Sequence, residues 1–399
     1  MHDSEWGLNQ TSLALLFNPP TNEPLFPNLR YLRCAYITKT NPLLYLPFPS
    51  LTSLLLDSDL FQDSPESLPK FSPIIRKIHI SFWWGLDRLV EPNFLFGWPN
   101  LCSVVCYGVS LGVDTVTRLS RLTSLTELEF RLSPTFPDLD SPLSFSNLHN
   151  LRLTAQSLTL ISRFLPHTRL PVLKGFQARV DNCPAKQEIA LCLAGLMISN
   201  AGRTVEALQL NQRYCAASKI LLGLEDLQPC MSLSNLRQFQ LSMKCDVVLT
   251  DSDLLTLASA WPKLELLRIN EDFGWKSQVG GITPGGLVRL LHICPLLSQI
   301  SLCLDTRGYI EVPPAHVPES PGLPRRSELK VEVLDAIIET GSALAIGTFF
   351  SGIAACCKSD FALCAWYRWH QTRELQNLQE YRAYWDRVLD LVHGRPRVS

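Results

Sequence analysis

The chain has 399 residues, with 36 Lys or Arg against 37 Asp or Glu, so its formal net charge is −1. This balance excludes the long-range field that draws proteins to nucleic acid or to an anionic membrane, and we expect a protein partner instead. The 13 cysteines include no pair of CxxC motifs at zinc-site spacing. No basic and apolar signal follows Met1, so we expect reduced thiols and an intracellular location, cytoplasmic or nuclear.

One spaced apolar triplet, apolar-x-x-apolar-x-apolar, recurs eleven times between Leu29 and Leu302. The triplets are Leu29/Leu32/Cys34, Leu51/Leu54/Leu56, Ile75/Ile78/Ile80, Leu101/Val104/Cys106, Leu125/Leu128/Phe130, Leu148/Leu151/Leu153, Leu173/Phe176/Ala178, Val205/Leu208/Leu210, Leu236/Phe239/Leu241, Leu264/Leu267/Ile269 and Leu297/Ile300/Leu302. Successive triplets begin 22 to 33 residues apart, which brackets the period of leucine-rich repeats and exceeds it in the second half of the array. The last two apolar positions lie two residues apart and face one side of a strand, so each repeat supplies one strand.

Segments with helical periodicity connect the triplets. Thr250 is placed to cap a helix that Pro262 ends, and Thr283 is placed to cap a helix that starts at Pro284. Further crossover helices are predicted at Val113 to Arg121, Ser157 to Leu165, Ala185 to Ser199 and Ala217 to Leu227. The predicted fold class is α/β: a leucine-rich-repeat solenoid with a curved parallel sheet inside, helices outside and a helical C-terminal cap.

Side chains between the triplet positions point to the concave face of such a sheet. From the fifth repeat onward, the position four residues after the first apolar residue is polar throughout. The residues predicted to bind a protein there are Glu129, Arg152, Gln177, Arg179, Gln209, Asn211, Gln240, Arg268 and Asn270. The alternative is that these residues are polar because any sheet face in contact with solvent must be polar.

We divide the chain into a lead or cap over residues 1–25, a solenoid of about eleven repeats over 26–310, a Pro-rich loop over 311–327, a strand and helical cap over 328–394, and a tail over 395–399. Within the cap, residues 329–334 alternate like one more strand. The apolar run Ala343 to Cys357 falls short of the roughly 20 residues of a bilayer span, and we expect a buried helix covering the end of the stack. An amphipathic helix from Arg373 to His393 either caps the last repeat or docks another chain.

Several tryptophans leave two interpretations open. Trp83 and Trp84, next to the third strand, and Trp275, in the loop after the tenth, are either packed in the protein or anchors for a partner.

We expect no enzymatic activity, no cofactor and no metal. None of the eight histidines lies four residues from another metal-type ligand on one helix, and no GxSxG element occurs. Gly280-Gly281 and Gly285-Gly286 precede a helix but lack the lysine and the order of phosphate-binding loops, which favours a turn between repeats.

The units from Thr250 through Leu267 and from Thr283 through Leu297, with their Trp261-Pro262 and Cys294-Pro295 lead-ins, resemble the F-box/leucine-rich-repeat proteins of mushroom-type (basidiomycete) fungi. The early segments Phe26 to Arg30 and Phe48 to Leu54 are similar to the same family. The resemblance covers roughly residues 26–304.

This resemblance implies a substrate adaptor of a cullin ubiquitin ligase, in which an F-box binds a Skp-type linker and the repeats present the target. Because the first triplet begins at Leu29, we expect the chain to lack a recognisable F-box. The predicted function is therefore protein binding, as in the target-recognition part of such an adaptor. The alternative is a stand-alone repeat scaffold with no role in ubiquitination.

Overall fold

In the described part of the computed structural model of the chain, short strands recur in which buried residues alternate with partly or fully exposed ones. The structure describes residues 26–35, 48–57, 72–81, 89–90, 92–136, 141–182, 184–213, 220–272, 275, 281–306, 323–334, 342–366 and 378–393. The chain divides into unit 1, residues 1–156 and 167–173, and unit 2, residues 157–166 and 174–399.

Unit 1 is built on parallel strands that pair in the order in which they occur along the chain. Its strands are β1 (Tyr31–Ala35), β2 (Ser53–Asp57), β3 (Lys77–Ser81), β4 (Leu89–Val90), β5 (Ser103–Leu111), β6 (Glu127–Arg131), β7 (Leu143–Ser144), β8 (Asn150–Ala155) and β9 (Thr168–Arg169), and its helix is α1 (Val113–Ser120). The sheet order is β1-β2-β3-β5-β6-β8, with β4 also on β5 and a separate pair β7-β9.

Unit 2 repeats this design with longer crossovers. Its strands are β10 (Gly175–Val180), β11 (Ala207–Gln212), β12 (Leu221–Leu222), β13 (Gln238–Ser242), β14 (Asp246–Val247), β15 (Leu266–Ile269), β16 (Gln299–Cys303), β17 (Arg326–Leu334) and β18 (Cys357–Trp366). Its helices are α2 (Leu158–Phe164), α3 (Lys186–Ile198), α4 (Leu224–Leu227), α5 (Asp251–Ala260), α6 (Pro284–Ile293), α7 (Ala343–Ala354) and α8 (Leu378–His393). The sheet order is β10-β11-β13-β15-β16-β17-β18, beside a separate pair β12-β14.

Equivalent triplet residues pair with each other from strand to strand. In unit 1, Leu54 pairs with Ile78 and Val104 with Leu128. In unit 2 the aligned row is Phe176, Leu208, Phe239, Leu267, Ile300, Val331 and Leu363, all of them buried. A parallel strand in every repeat, with helices between most strands of unit 2 and one α-helix among the described residues of unit 1, confirms the predicted leucine-rich-repeat fold class.

The prolines that precede the triplets belong to a recurring turn that leads the chain into its strand. The amide N–H of Leu101 donates to the Trp98 carbonyl at 3.2 Å, and that of Leu264 to the Trp261 carbonyl at 3.1 Å. Both indole rings are buried and reach the preceding repeat, Trp98 donating to the Ser72 carbonyl at 2.6 Å and Trp261 to the Cys230 carbonyl at 3.0 Å. The tryptophans that precede these prolines thus connect each of these repeats to the one before it.

Five of the six predicted crossover helices are confirmed and one is wrong. The helices predicted at Val113 to Arg121, Ser157 to Leu165 and Ala185 to Ser199 are α1, α2 and α3. The hydroxyls of Thr250 and Thr283 accept hydrogen bonds from the first turns of α5 and α6, as predicted. The predicted helix from Ala217 to Leu227 is reduced, among its described residues, to the strand β12 and the single turn α4. Gly223 is extended, and its amide donates to the Asp226 carboxylate at 2.9 Å, so the helix starts only after that glycine.

The C-terminal region holds one strand more than the sequence indicated. The predicted strand after the Pro-rich segment is β17, but α7 does not end the stack; it is the crossover from β17 to β18, and α8 packs on α7. Trp275 is 1% exposed and donates its indole N–H to the Ile269 carbonyl at 2.8 Å, which bears out the packing interpretation. No helix in the described part of the chain is long and apolar enough to cross a membrane.

Several predicted features lie outside the described residues. These are the lead over residues 1–25, Trp83, Trp84, Ala217, Gly280, residues 311–322 of the predicted Pro-rich loop, the first residues of the predicted C-terminal helix before Leu378, and the tail after His393. The predicted end of the Pro-rich loop at residue 327 is wrong, because β17 already begins at Arg326.

Two consecutive helix starts in unit 2 are joined by one carboxylate. Asp251, the first residue of α5, accepts hydrogen bonds from the backbone amide of Thr283 at 2.8 Å and from its hydroxyl at 2.6 Å. A side chain at Gly286 has no room here, because its Cβ would lie 2.0 Å from Asp251 Oδ1.

A buried arginine holds the end of α6. Arg326 is 5% exposed, and its guanidinium donates to the backbone carbonyls of Leu291, Leu297 and Cys294, the last at 3.0 Å. Burial lowers the pKa of Arg326, but an arginine stays charged at neutral pH. Its positive charge therefore lies where the helix dipole is negative.

We predict that Gly286→Ala displaces the Asp251 carboxylate and lowers the stability of unit 2 by about 1–2 kcal/mol, the usual cost of a lost helix cap. The measurement is the midpoint of chemical denaturation. Gly285→Ala is the matched control, because its Cβ meets only the Thr283 hydroxyl at 3.5 Å. Equal midpoints for the two variants would contradict the prediction.

We also predict that Arg326→Met lowers the free energy of unfolding by about 2–4 kcal/mol, because three buried carbonyl groups lose their donor. Arg325→Met, at the exposed neighbouring position, is expected to change it by less than about 0.5 kcal/mol. Thermal and chemical denaturation of both variants check this, and a loss shared by the two would count against it.

Candidate functional site

The candidate site is the exposed strand face, meaning the side chains that alternate with the buried triplet residues along the sheet strands. In β10 the core side is Phe176, Ala178 and Val180, and the exposed side carries Gln177 and Arg179. The same alternation holds along β11. Since the strands pair in register, the exposed residues form rows that cross the sheet.

In unit 1 the exposed strand face carries a charged cluster. Arg152 lies between two carboxylates, with its Nη1 3.1 Å from Glu127 Oε1 and 3.3 Å from Glu129 Oε2. Ser103 donates its hydroxyl to Glu127 at 2.7 Å. The structure thus brings together the predicted residues Glu129 and Arg152, each already in an ion pair.

In unit 2 three glutamines form a row that we call the amide ladder: Gln177, Gln209 and Gln240. Gln177 pairs in register with Gln209, and Gln209 with Gln240. All three are half-buried, and none of the three side-chain amides has a hydrogen bond to another described residue. Each therefore presents a free donor and a free acceptor.

The row continues from the amide ladder into an ion cluster formed by Arg268, Glu271, Lys330 and Glu332. Arg268 pairs in register with Gln240, contacts Glu271 Oε2 at 3.1 Å and donates to Gln299 Oε1 at 3.0 Å. Lys330 lies 2.6 Å from Glu332 Oε1. The charges of the cluster are paired with one another.

The pKa values of the two carboxylates in the ion cluster shift in opposite directions. Burial raises the pKa of Glu271, and Arg268 offsets only part of this effect. Burial also acts to raise the pKa of Glu332, but hydrogen bonds from Lys330 and Ser301 outweigh it and lower that pKa below its ordinary value. Glu332 is therefore the stronger acid of the two and loses its proton at a lower pH than Glu271.

The remaining predicted residues have different surroundings. Asn270 is fully buried with φ of 56°; its Oδ1 accepts from the Met243 amide and its Nδ2 donates to the Cys245 carbonyl, both at 2.9 Å. Asn211 is half-buried, and its Oδ1 has no partner among the described residues. Arg179 is half-buried and interacts within the protein. Asn270 thus holds a turn and presents no amide to a ligand.

The sequence reasoning missed three members of the ion cluster. Glu332 pairs with Ser301, which lies four residues after the first apolar residue of the eleventh triplet. Continuing this row of positions into the predicted strand at residues 329–334 would have found Glu332, and with it Lys330. Glu271 lies after β15, outside the strand alternation, and no sequence signal marked it. In the described part of the chain, no group of three or more His, Cys, Asp or Glu could hold a metal ion.

Comparison with solved structures finds chains that are similar to this one. No family model matches the sequence, and no curated protein matches it. A leucine-rich-repeat protein of Leptospira interrogans is 13% identical, covers 74% of this chain and 93% of its own, and has a TM-score of 0.20. Because this score is low, the fold assignment rests on the strand order and register described above.

We predict that Glu332→Gln is less stable than the wild type at pH 7 by about 1–3 kcal/mol, because it loses charge-assisted hydrogen bonds. A carboxylate with a lowered pKa stabilises the fold above the unfolded pKa of about 4.3, and that stabilisation is lost as the pH falls through the lower folded value. The difference between variant and wild type should therefore shrink in acid.

Denaturation curves between about pH 3 and pH 7 measure this difference. Glu328→Gln, exposed on the same strand, is the matched control and should follow the wild type. A deficit of Glu332→Gln that grows in acid would show that the carboxylate acts in another way.

Proposed function

We propose that this chain is a non-enzymatic repeat protein that binds a protein partner on its exposed strand face. The observation that carries the proposal is the amide ladder: three aligned amides, in contact with solvent, without partners among the described residues. A polar face that served only solubility would not need neutral side chains of one kind in one row.

The chemistry of the other polar groups supports binding rather than catalysis. The carboxylates and cations of the ion cluster are paired with one another. Burial raises the pKa of the Cys192 thiol to about 12 and that of Cys294 to about 11, so both are protonated and poor nucleophiles at neutral pH. Ten cysteines of the described residues carry free thiols, which supports the proposed intracellular location.

The resemblance to fungal F-box/leucine-rich-repeat proteins supports a finer proposal: the chain is the target-recognition part of a ubiquitin-ligase adaptor. This part of the proposal rests on the repeat units and their lead-ins alone. The alternative is a stand-alone repeat scaffold. Recovery of a Skp-type linker together with the target supports the adaptor, whereas target binding that persists in the absence of the ligase supports the scaffold.

We predict that Ala207→Trp abolishes recovery of the partner by affinity purification and mass spectrometry. Ala207 lies on β11 two residues before Gln209, so an indole there obstructs the exposed strand face whatever the chemistry of the partner. Ala383→Trp, at an exposed position of α8, is the matched control and should recover the partner fully.

The two variants are first compared for their denaturation midpoints, so that a lost partner is not a consequence of unfolding. Undiminished partner recovery by folded Ala207→Trp would overturn the proposed function.

A further inference from the structure

The amide ladder carries no charge, and the charges next to it in its row are compensated. Arg268, which continues the row, is held by Glu271 and Gln299. A partner group with a net charge would lose its hydration here and gain no opposite charge in exchange. Charge complementarity therefore requires neutral polar groups on the partner, such as amides and hydroxyls, which can exchange hydrogen bonds with primary amides.

The distance between the amides of the ladder can be compared with the side-chain spacing of a partner segment that crosses the strands, either as an α-helix or as an extended strand. Neighbouring strands lie about 4.8 Å apart, so the three amides span about 9.6 Å. Side chains on one face of an α-helix recur every 3.5 residues on average, about 5.3 Å, and span about 10.5 Å over two steps. Side chains on one face of an extended strand recur about every 6.7 Å and span about 13.4 Å over two steps. The helix matches the span of the three amides to within about 1 Å, whereas the strand exceeds it by about 4 Å, so the helix fits the ladder better.

The row next to the amide ladder gives such a helix room. Gly175 and Ala207 lie two residues before Gln177 and Gln209 on the same strands. Since neither residue carries more than a methyl group, the backbone of a helix can approach the sheet beside these two glutamines. On β13 the row of Gly175 and Ala207 continues with the exposed Gln238, whose side chain offers the partner one more amide.

We infer that the exposed strand face of unit 2 receives an α-helix of the partner protein, which lies across β10, β11 and β13 and presents neutral polar side chains at positions i, i+3 or i+4, and i+7. This inference rests on the proposed function and specifies the partner. The contact is a hydrogen-bonded one, in which each glutamine gives and accepts a bond. Its strength depends little on salt, because no net charge is neutralised.

The test uses two display libraries selected against the full chain. One library is a single-helix scaffold randomised at i, i+4 and i+7, and the other is a cyclic β-hairpin randomised at i, i+2 and i+4. Each selected clone is measured against the wild type and against the triple variant Gln177→Ala, Gln209→Ala, Gln240→Ala. The matched control is Gln187→Ala, Gln228→Ala, whose glutamines are exposed in α3 and after α4. Denaturation midpoints establish that both variants are folded.

The expected result is helical clones rich in Asn, Gln, Ser and Thr. Their affinity should fall about 100-fold in the triple variant, since three hydrogen bonds of about tenfold or less each are lost. It should change less than about twofold in the control or when the salt concentration is tripled.

Three results would overturn the inference: ladder-dependent clones that come from the hairpin library, helical clones with charged residues and salt-dependent affinity, or no ladder-dependent clone from either library. These outcomes are distinct from failure of the proposed function. If Ala207→Trp blocks the natural partner and one of these results is found, the exposed strand face still binds a protein, but not this helix.

Discussion

The in-register pairing of parallel strands is the constraint on which the rest of the structure depends. Each triplet residue lies beside the same triplet position of the next repeat, so the buried side chains form continuous rows such as Phe176, Leu208 and Phe239. A slip of one residue would turn every buried side chain to the solvent. The same register aligns the polar residues of the opposite face, so the core and the proposed binding surface both follow from it.

Polar ties between successive repeats stabilise this register. Trp98 and Trp261 donate indole N–H groups to carbonyls of the preceding repeat, and Arg326 satisfies three carbonyls at the end of α6. Asp251 links the starts of two successive helices. The hydrogen bonds named here for these four side chains are all made inside the protein. The amide ladder differs in this respect, and for that reason we propose it as the recognition surface.

Much of the fold could be predicted from the sequence because it is local and periodic. The triplets predict their strands, and Thr250 and Thr283 mark helix starts. The helix expected from Ala217 failed because the extended Gly223 and the short strand β12 depend on pairing with β14, a long-range contact. Strand β18 was missed because its pairing with β17 decides its state, and in the paired register its triplet would be Asp360, Leu363 and Ala365, which begins with a charged residue. The positions between the triplet residues located Gln177, Gln209 and Gln240. They also included Asn270, because nothing in the spacing of the triplets indicates the left-handed backbone that buries this residue.

The central claim is that the exposed strand face of unit 2 is the surface that contacts the partner. A photo-crosslinking residue in place of Gln209, compared with the same residue in place of Ala383 on α8, tests it most directly in cells that contain the natural partner. The account predicts a cross-linked partner from position 209 and none from position 383. Cross-links from position 383 alone would contradict it.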